Sequence, residues 1–197
     1  MFRGGEGMAE REEYRGERVT LRHLVRSDVD QMATWPRFHE VEFQWANLDL
    51  SFTSERDLYY ERGRSNSTRR RFVVLDESSN LIGTVGLRNL DLLVGEATLG
   101  IIVRPDSVGK GYGTDTVETI LAYAFDVLDL RRVLLDVAIN NERARHVYDK
   151  LGFTPIGQHL GPQNTLYTDM ALDRAEYYRH WRAKSNIGEP ATETARR

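Results

Sequence analysis

Three alternate glycines, Gly109, Gly111 and Gly113, stand between a strand-like run and a helical pattern, and they constrain the fold more than any other feature. The apolar run from Leu99 to Val103 predicts a strand buried on both faces, and apolar residues recur at helical spacing from Val117 to Leu128. Glycines that lead from a strand into a helix let backbone N–H groups converge on an anion, and the helix dipole adds positive charge there. No capping side chain stands among these glycines, so the loop predicts a phosphate-binding site, with a glycine-rich connection that binds no ligand as the alternative.

Composition narrows the class of protein. The 197 residues suit one domain, and the net charge of −3 gives no electrostatic signature of nucleic-acid binding. The sequence has no cysteine, which excludes disulfides and thiolate chemistry and agrees with a cytoplasmic protein. The five histidines are widely spaced and predict no metal site, and no apolar run approaches the roughly 20 residues of a membrane helix.

The chain is expected to form a single domain over residues 17–182. A flexible lead of residues 1–16 and a flexible tail of residues 183–197 flank it, because neither segment shows periodic apolar residues. Between them the patterns predict a strand, two helices, three strands, a helix, a strand, a helix and two strands. Strands that alternate with helices in this way indicate an α/β fold with a mixed central sheet flanked by helices.

A second motif supports a family resemblance. Asn141, Ala144, Tyr148 and the pair Gly152-Phe153 have the spacing of the N-x-x-[Ala/Ser]-x-x-x-Tyr-x-x-x-Gly-Phe signature of the GNAT superfamily of N-acetyltransferases. The order of elements over residues 18–172 is also similar to that fold. Within the superfamily the chain looks most like the branch that contains ribosomal-protein N-terminal acetyltransferases and spermidine N-acetyltransferases.

The glycine loop resembles the acetyl-CoA loop of the same superfamily, [Arg/Gln]-x-x-Gly-x-[Gly/Ala]. Gly111 and Gly113 match its small positions, whereas Val108 departs from the Arg/Gln position. The resemblance implies acetyl-CoA as co-substrate, no metal, and a thioester oxygen held by a central-strand backbone N–H. The residues that would bind acetyl-CoA are Ile101, Ile102, Val103, Val108, Gly109, Lys110, Gly111, Tyr112, Gly113, Thr114 and Asn141.

The resemblance gives Tyr148 the role of proton donor to the leaving thiolate, although its helical spacing also fits a core residue. The base is less well defined, because Thr98 stands where many relatives carry a strand glutamate. Glu96 lies on the same predicted strand face and is the candidate base, with a solvated strand-end glutamate as the alternative. His146 is a further candidate. Asn141 is read as a helix cap, with or without an amide contact to the pantetheine arm.

The amine acceptor, a small molecule or a peptide, should be recognised by the first two helices and their connection. Trp35, Glu40 and Glu42 are the candidate binding residues, and a surplus of acids between Trp35 and Glu61 would attract a cationic amine. A protein N-terminal α-amine is the first expectation, because the overall pattern looks most like the ribosomal-protein branch. An α-amine, with a pKa near ~7.7–8.0, also demands little of a base. Spermidine is the alternative, and Arg69-Arg70-Arg71 is read as a solvated strand start.

Two further questions stay open. Val108 and Thr98 replace common family residues, which leaves a non-catalytic acyl-CoA-binding module as a rival. Assembly into a homo-oligomer such as a dimer is also left open.

Overall fold

The computed structural model describes residues 12–40, 43, 46–161 and 164–181 of the chain. One eight-stranded sheet forms its centre, in the order β1-β2-β3-β4-β5-β6-β8-β7. The strands are β1 Glu13–Arg15, β2 Thr20–His23, β3 Arg70–Leu75, β4 Leu81–Asp91, β5 Glu96–Val103, β6 Arg132–Ala138, β7 Thr154–Leu160 and β8 Leu166–Asp173. The helices are α1 Arg26–Met32, α2 Thr53–Gly63, α3 Tyr112–Ala122, α4 Glu142–Lys150 and α5 Arg174–Trp181. No described helix is long and apolar enough to cross a membrane.

The sheet opens between β5 and β6. These two strands pair in parallel, whereas the other neighbouring strands named above are antiparallel. Their register ends at Thr98 opposite Leu134, although β5 continues to Val103 and β6 to Ala138. Because the strands diverge beyond Thr98, the N–H and C=O groups of β5 that face β6 have no strand partner there.

Helices cover the sheet on both faces. Successive residues of a strand point to opposite faces, so Phe72 and Val73 of β3 belong to separate layers. Phe72 packs in the large cluster with Ile120 of α3 and Leu151, which follows α4. Val73 packs in a smaller cluster with residues of α1, such as Val29. Full burial of each such side chain contributes about 1.5–3 kcal/mol, and the two layers fix the sheet between the helix pairs.

The ordered sheet begins inside the segment that was predicted to be a flexible lead. Residues 13–15 form β1 and pair with β2, although their composition gave no strand signal. The buried carboxylate of Asp115 on α3 explains this order, because it accepts hydrogen bonds from the N–H groups of Glu17, Arg18 and Val19 at 2.7–3.0 Å. Residues 1–11 of the lead and the whole predicted tail lie outside the described residues.

Candidate active site

A cleft of about 880 Å³ occupies the opening between β5 and β6. Strands β4 to β6, the glycine loop, the start of α3 and one side of α4 form its walls. Most residues expected to bind acetyl-CoA line it, together with the candidate proton donor: Ile101, Ile102, Val103, Val108, Gly109, Gly111, Gly113, Thr114, Asn141 and Tyr148. Lys110 and Tyr112 are not among the lining residues.

The glycine loop presents backbone donors to the cleft. Gly109 and Gly111 have φ angles of 75° and 88°, a left-handed conformation that strains any residue with a Cβ. Gly111 is the N-cap of α3 and supplies no side-chain cap. Within the described ranges, no group accepts a hydrogen bond from the N–H groups of residues 109–114. The loop therefore fits an anionic group such as the pyrophosphate of acetyl-CoA.

Residues far away in the sequence brace this loop. The Arg18 guanidinium donates to the Lys110 carbonyl oxygen at 2.5 Å and lies 4.5 Å from the centre of the Tyr112 ring. Glu77 accepts from both Arg18 (2.8 Å) and the Tyr112 hydroxyl (3.0 Å). Lys110 and Tyr112 thus hold the loop from outside the cleft. Sequence spacing gave no sign of Arg18 or Glu77, because only the sheet register brings β2 and the β3–β4 turn to the loop.

Tyr148 is a core residue that also borders the cleft, and its role as proton donor stays a prediction. Its side chain is buried on α4, packs edge-on against Phe153 and lines the cleft. Its hydroxyl has no hydrogen-bond partner among the described residues and is left for a ligand. Burial raises the pKa of Tyr148, and the negative charge of Asp136 raises it further. The phenol is therefore protonated at neutral pH, as a proton donor must be.

Asn141 is confirmed as the cap of α4. Its Oδ1 accepts a hydrogen bond from the N–H of Ala144 at 3.1 Å, and the residue also lines the cleft. The cap fixes the first turn of the helix that carries Tyr148, so one residue orients the helix and borders the site.

The candidate bases lie away from the cleft. Glu96 begins β5 and faces Arg132 of β6, with 3.7 Å between carboxylate and guanidinium. Glu96 is not a lining residue, and neither is His146, which is exposed on α4. The role of Glu96 as a base stays a prediction.

Asp136 of β6 is a carboxylate that sequence reasoning missed. It is the single carboxylate among the described lining residues, and its side chain is 32% exposed. Arg88 of β4 holds it at 2.5 Å. The register places Asp136 two residues beyond the last β5–β6 pair, which the sequence alone does not reveal. No group of three metal-binding side chains occurs among the described residues.

The candidate acceptor-binding residues are only partly placed. Trp35 lines a small pocket of about 100 Å³, which shares Phe38 and Ala46 with the main cleft. Glu40 is exposed and lines neither cavity, and Glu42 lies outside the described residues.

A match to the acetyltransferase (GNAT) domain family covers residues 18–154, from β2 to the start of β7. The chain belongs to the GNAT family. It is therefore an acetyl-CoA-dependent N-acetyltransferase, as the resemblance implied, and acetyl-CoA is its co-substrate.

The similar proteins include both kinds of acetyltransferase in the branch that the sequence resembles. The chain is 32% identical to a spermidine N(1)-acetyltransferase of Vibrio cholerae, over 72% of this chain and 82% of that protein. It is 34% identical to the putative ribosomal N-acetyltransferase YdaF of Bacillus subtilis, over 40% and 43%.

Solved structures agree with this placement. One is a chimera of the Vibrio cholerae spermidine N-acetyltransferase SpeG and hSSAT, with a TM-score of 0.69 and 30% identity over 81% of this chain and 97% of the other. A second, described as a dodecameric spermidine N-acetyltransferase from Vibrio cholerae, has a TM-score of 0.65 and 29% identity over 81% and 95%.

Proposed function

We propose that this protein transfers the acetyl group of acetyl-CoA directly to a primary amine of a small molecule or a peptide within the cleft between β5 and β6. The observation that carries the proposal is the meeting of two sets of unpartnered donors at one cleft. These donors are the N–H groups of the glycine loop and the hydroxyl of Tyr148. A loop without a catalytic group would explain binding but not the placement of Tyr148.

Different groups of the protein bind the cofactor, polarise the thioester and donate the proton. The N–H groups of residues 109–114 hold the pyrophosphate, and N–H groups of β5 that face the opening polarise the thioester oxygen. As the amine nitrogen bonds to the acetyl carbon, the carbon–sulfur bond breaks and Tyr148 gives its proton to the departing thiolate. The amine loses one proton to a base or to water, so the exchange is balanced once Tyr148 regains a proton.

The relatives indicate which class of amine the protein acetylates. Spermidine N(1)-acetyltransferases match over 72% of the chain, whereas the ribosomal acetyltransferase matches over 40%. The comparisons therefore favour a polyamine such as spermidine over the N-terminal α-amine that was our first expectation. We also propose that the chain forms a homo-oligomer, as the dodecameric relative does, which light scattering would measure.

A mixed panel of peptides, polyamines, amino acids and aminoglycosides tests the proposal. Intact-mass detection identifies acetylated products, and a thiol-release assay counts turnovers. We expect acetyl-CoA-dependent acetylation of at least one class of primary amine. Calorimetric binding of CoA without turnover on any amine would favour the non-catalytic module that Val108 and Thr98 suggested, and absence of CoA binding would contradict both.

A further inference from the structure

The charges that line the cleft are mainly positive. Five arginines contribute to its described walls, Arg69, Arg70, Arg71, Arg88 and Arg143, against the single carboxylate of Asp136. Arg88 is neutralised by Asp136. The Arg143 guanidinium lies 5.1 Å from the ring centre of Phe43, on the wall that faces the α1–α2 connection. A cleft of this kind attracts a negatively charged group.

Arg71 is held in place without a carboxylate partner. One of its Nη atoms donates to the Tyr59 hydroxyl at 2.6 Å, and its guanidinium lies 5.1 Å from the centre of the Tyr59 ring. No carboxylate of the described residues forms an ion pair with it. A fixed guanidinium loses less conformational freedom when it binds an anion, and its planar fork matches a carboxylate.

The register places Arg71 away from the phosphate loop. Arg71 of β3 pairs with Gly86 of β4, and Gly86 pairs with Gly100 of β5. The loop follows Val103, three residues further along β5, or ~10 Å at the usual rise of a strand. A Cβ at Gly100 would meet no heavy atom within 4 Å, so there is open space at Gly100, whereas a Cβ at Gly86 would meet the Arg70 carbonyl oxygen. Arg71 therefore borders the part of the cleft that remains for the acceptor.

Three of the acids that were expected to attract a cationic amine are engaged outside the cleft. Asp57 is bound by Arg26 at 2.7 Å, and Glu55 accepts a hydrogen bond from the N–H of Phe52 at the start of α2. Glu61 lies 3.5 Å from Arg64. None of these three acids lines the cleft. Among the described residues that line the cleft, a second ammonium group of a polyamine would meet five arginines and the single carboxylate of Asp136, which Arg88 already binds.

We propose that the acceptor is a small amine that also carries a carboxylate, and that Arg71 binds this carboxylate while the amine lies near Gly100. The inference rests on the proposed function and deepens it. The relatives and the charges of the described cleft point to different acceptors. The relatives favour a polyamine, whereas the arginines would repel its second cation and would bind the carboxylate of an amino acid through opposite charge.

Matched acceptors test whether the acceptor carries a carboxylate. A series of ω-amino acids with one to five methylenes is compared with the corresponding amides, which lack the charge, and with diamines of equal length, which reverse it. We expect the best amino acid to exceed its amide and its diamine in kcat/KM by about tenfold or more. Diamines that are turned over as well as the acids would overturn the inference but leave acetyl transfer intact. No turnover of any amine would contradict the proposed function itself.

A substitution of Arg71 tests whether this residue binds the carboxylate. Arg71→Gln should lower kcat/KM for the best amino acid by roughly 10- to 100-fold and change that for its amide by less than about twofold. Arg64→Gln is the matched control, because it removes an equal charge from the exposed end of α2 outside the cleft. Calorimetry with CoA verifies that both variants fold. An equal loss for acid and amide, or an unchanged preference for the acid, would remove Arg71 from acceptor binding.

Discussion

The two ends of the cleft differ in the groups that they offer to a ligand. At the loop end the backbone supplies the donors, and Gly109 and Gly111 only allow it to adopt the required conformation. At the acceptor end side chains from β3, β4 and β6 supply the charges, as Arg71, Arg88 and Asp136 do. Backbone donors suit a ligand that a whole family shares, and they survive a side-chain departure such as Val108. Side-chain charges change with single substitutions, so we expect this end to determine which acceptor this protein binds.

Tyr148→Phe should give the largest effect, because Tyr148 is the proton donor that we propose. We expect kcat to fall by roughly 10- to 10⁴-fold, the range of a positioned proton donor, with little change in affinity for acetyl-CoA. Steady-state kinetics and CoA calorimetry measure the two quantities. An unchanged kcat would return Tyr148 to a purely structural role in the core.

Gly111→Val tests the loop end. A β-branched side chain at φ 88° is strained and obstructs the approach of the pyrophosphate, so the KM for acetyl-CoA should rise by about 10- to 100-fold. Gly95→Val is the matched control, because Gly95 has a φ of 76° in the β4–β5 turn and does not line the cleft. The control should lose stability but keep its KM. Normal binding of acetyl-CoA by Gly111→Val would refute the phosphate-binding role of the loop.

Two carboxylates, Asp136 in the cleft and Glu96 outside it, offer a smaller contrast. Asp136→Asn removes the one described carboxylate of the cleft and leaves Arg88 without its partner, so kcat/KM should fall by about 3- to 10-fold. Glu96→Gln should have a smaller effect, seen mainly as a shifted pH profile, because Glu96 faces Arg132 outside the cleft. An identical profile would exclude Glu96 from proton transfer. A larger effect of Glu96→Gln than of Asp136→Asn would contradict the expectation that the carboxylate in the cleft matters more.

The pH dependence should show no effect of Tyr148 near neutrality. Burial raises the pKa of Tyr148, so its proton is present at any pH below the usual tyrosine value near 10. The rate should therefore rise with pH as the acceptor amine loses its proton, without an alkaline decline below about pH 10. A decline in kcat near pH 8 that is absent from Tyr148→Phe would show that the phenol ionises much earlier.

Local spacing made the loop end predictable. The alternate glycines, the helical pattern after them and the Asn141 signature are each complete within about twenty residues. The structure confirms the capping role of Asn141 and places Gly111 at the start of α3 without a side-chain cap. The mixed sheet with flanking helices also followed from the order of periodic segments.

The acceptor end was not predictable, because its residues meet only through the sheet register. Arg88 and Asp136 are 48 positions apart, and Arg71 looked like an ordinary solvated strand start. The acidic surplus after Trp35 was visible, but sequence could not show that Asp57 faces Arg26 rather than a ligand. Strand β1 was missed for a similar reason, since the Asp115 contacts that order this segment span almost a hundred residues.

Two-substrate kinetics of wild type, Gly111→Val and Arg71→Gln test the division of the cleft most directly. Initial rates are measured over a grid of acetyl-CoA and the best acceptor found in the panel, so that each KM is obtained separately. The division predicts that Gly111→Val raises only the KM for acetyl-CoA and that Arg71→Gln raises only the KM for the acceptor. A parallel rise of both KM values in either variant would contradict it.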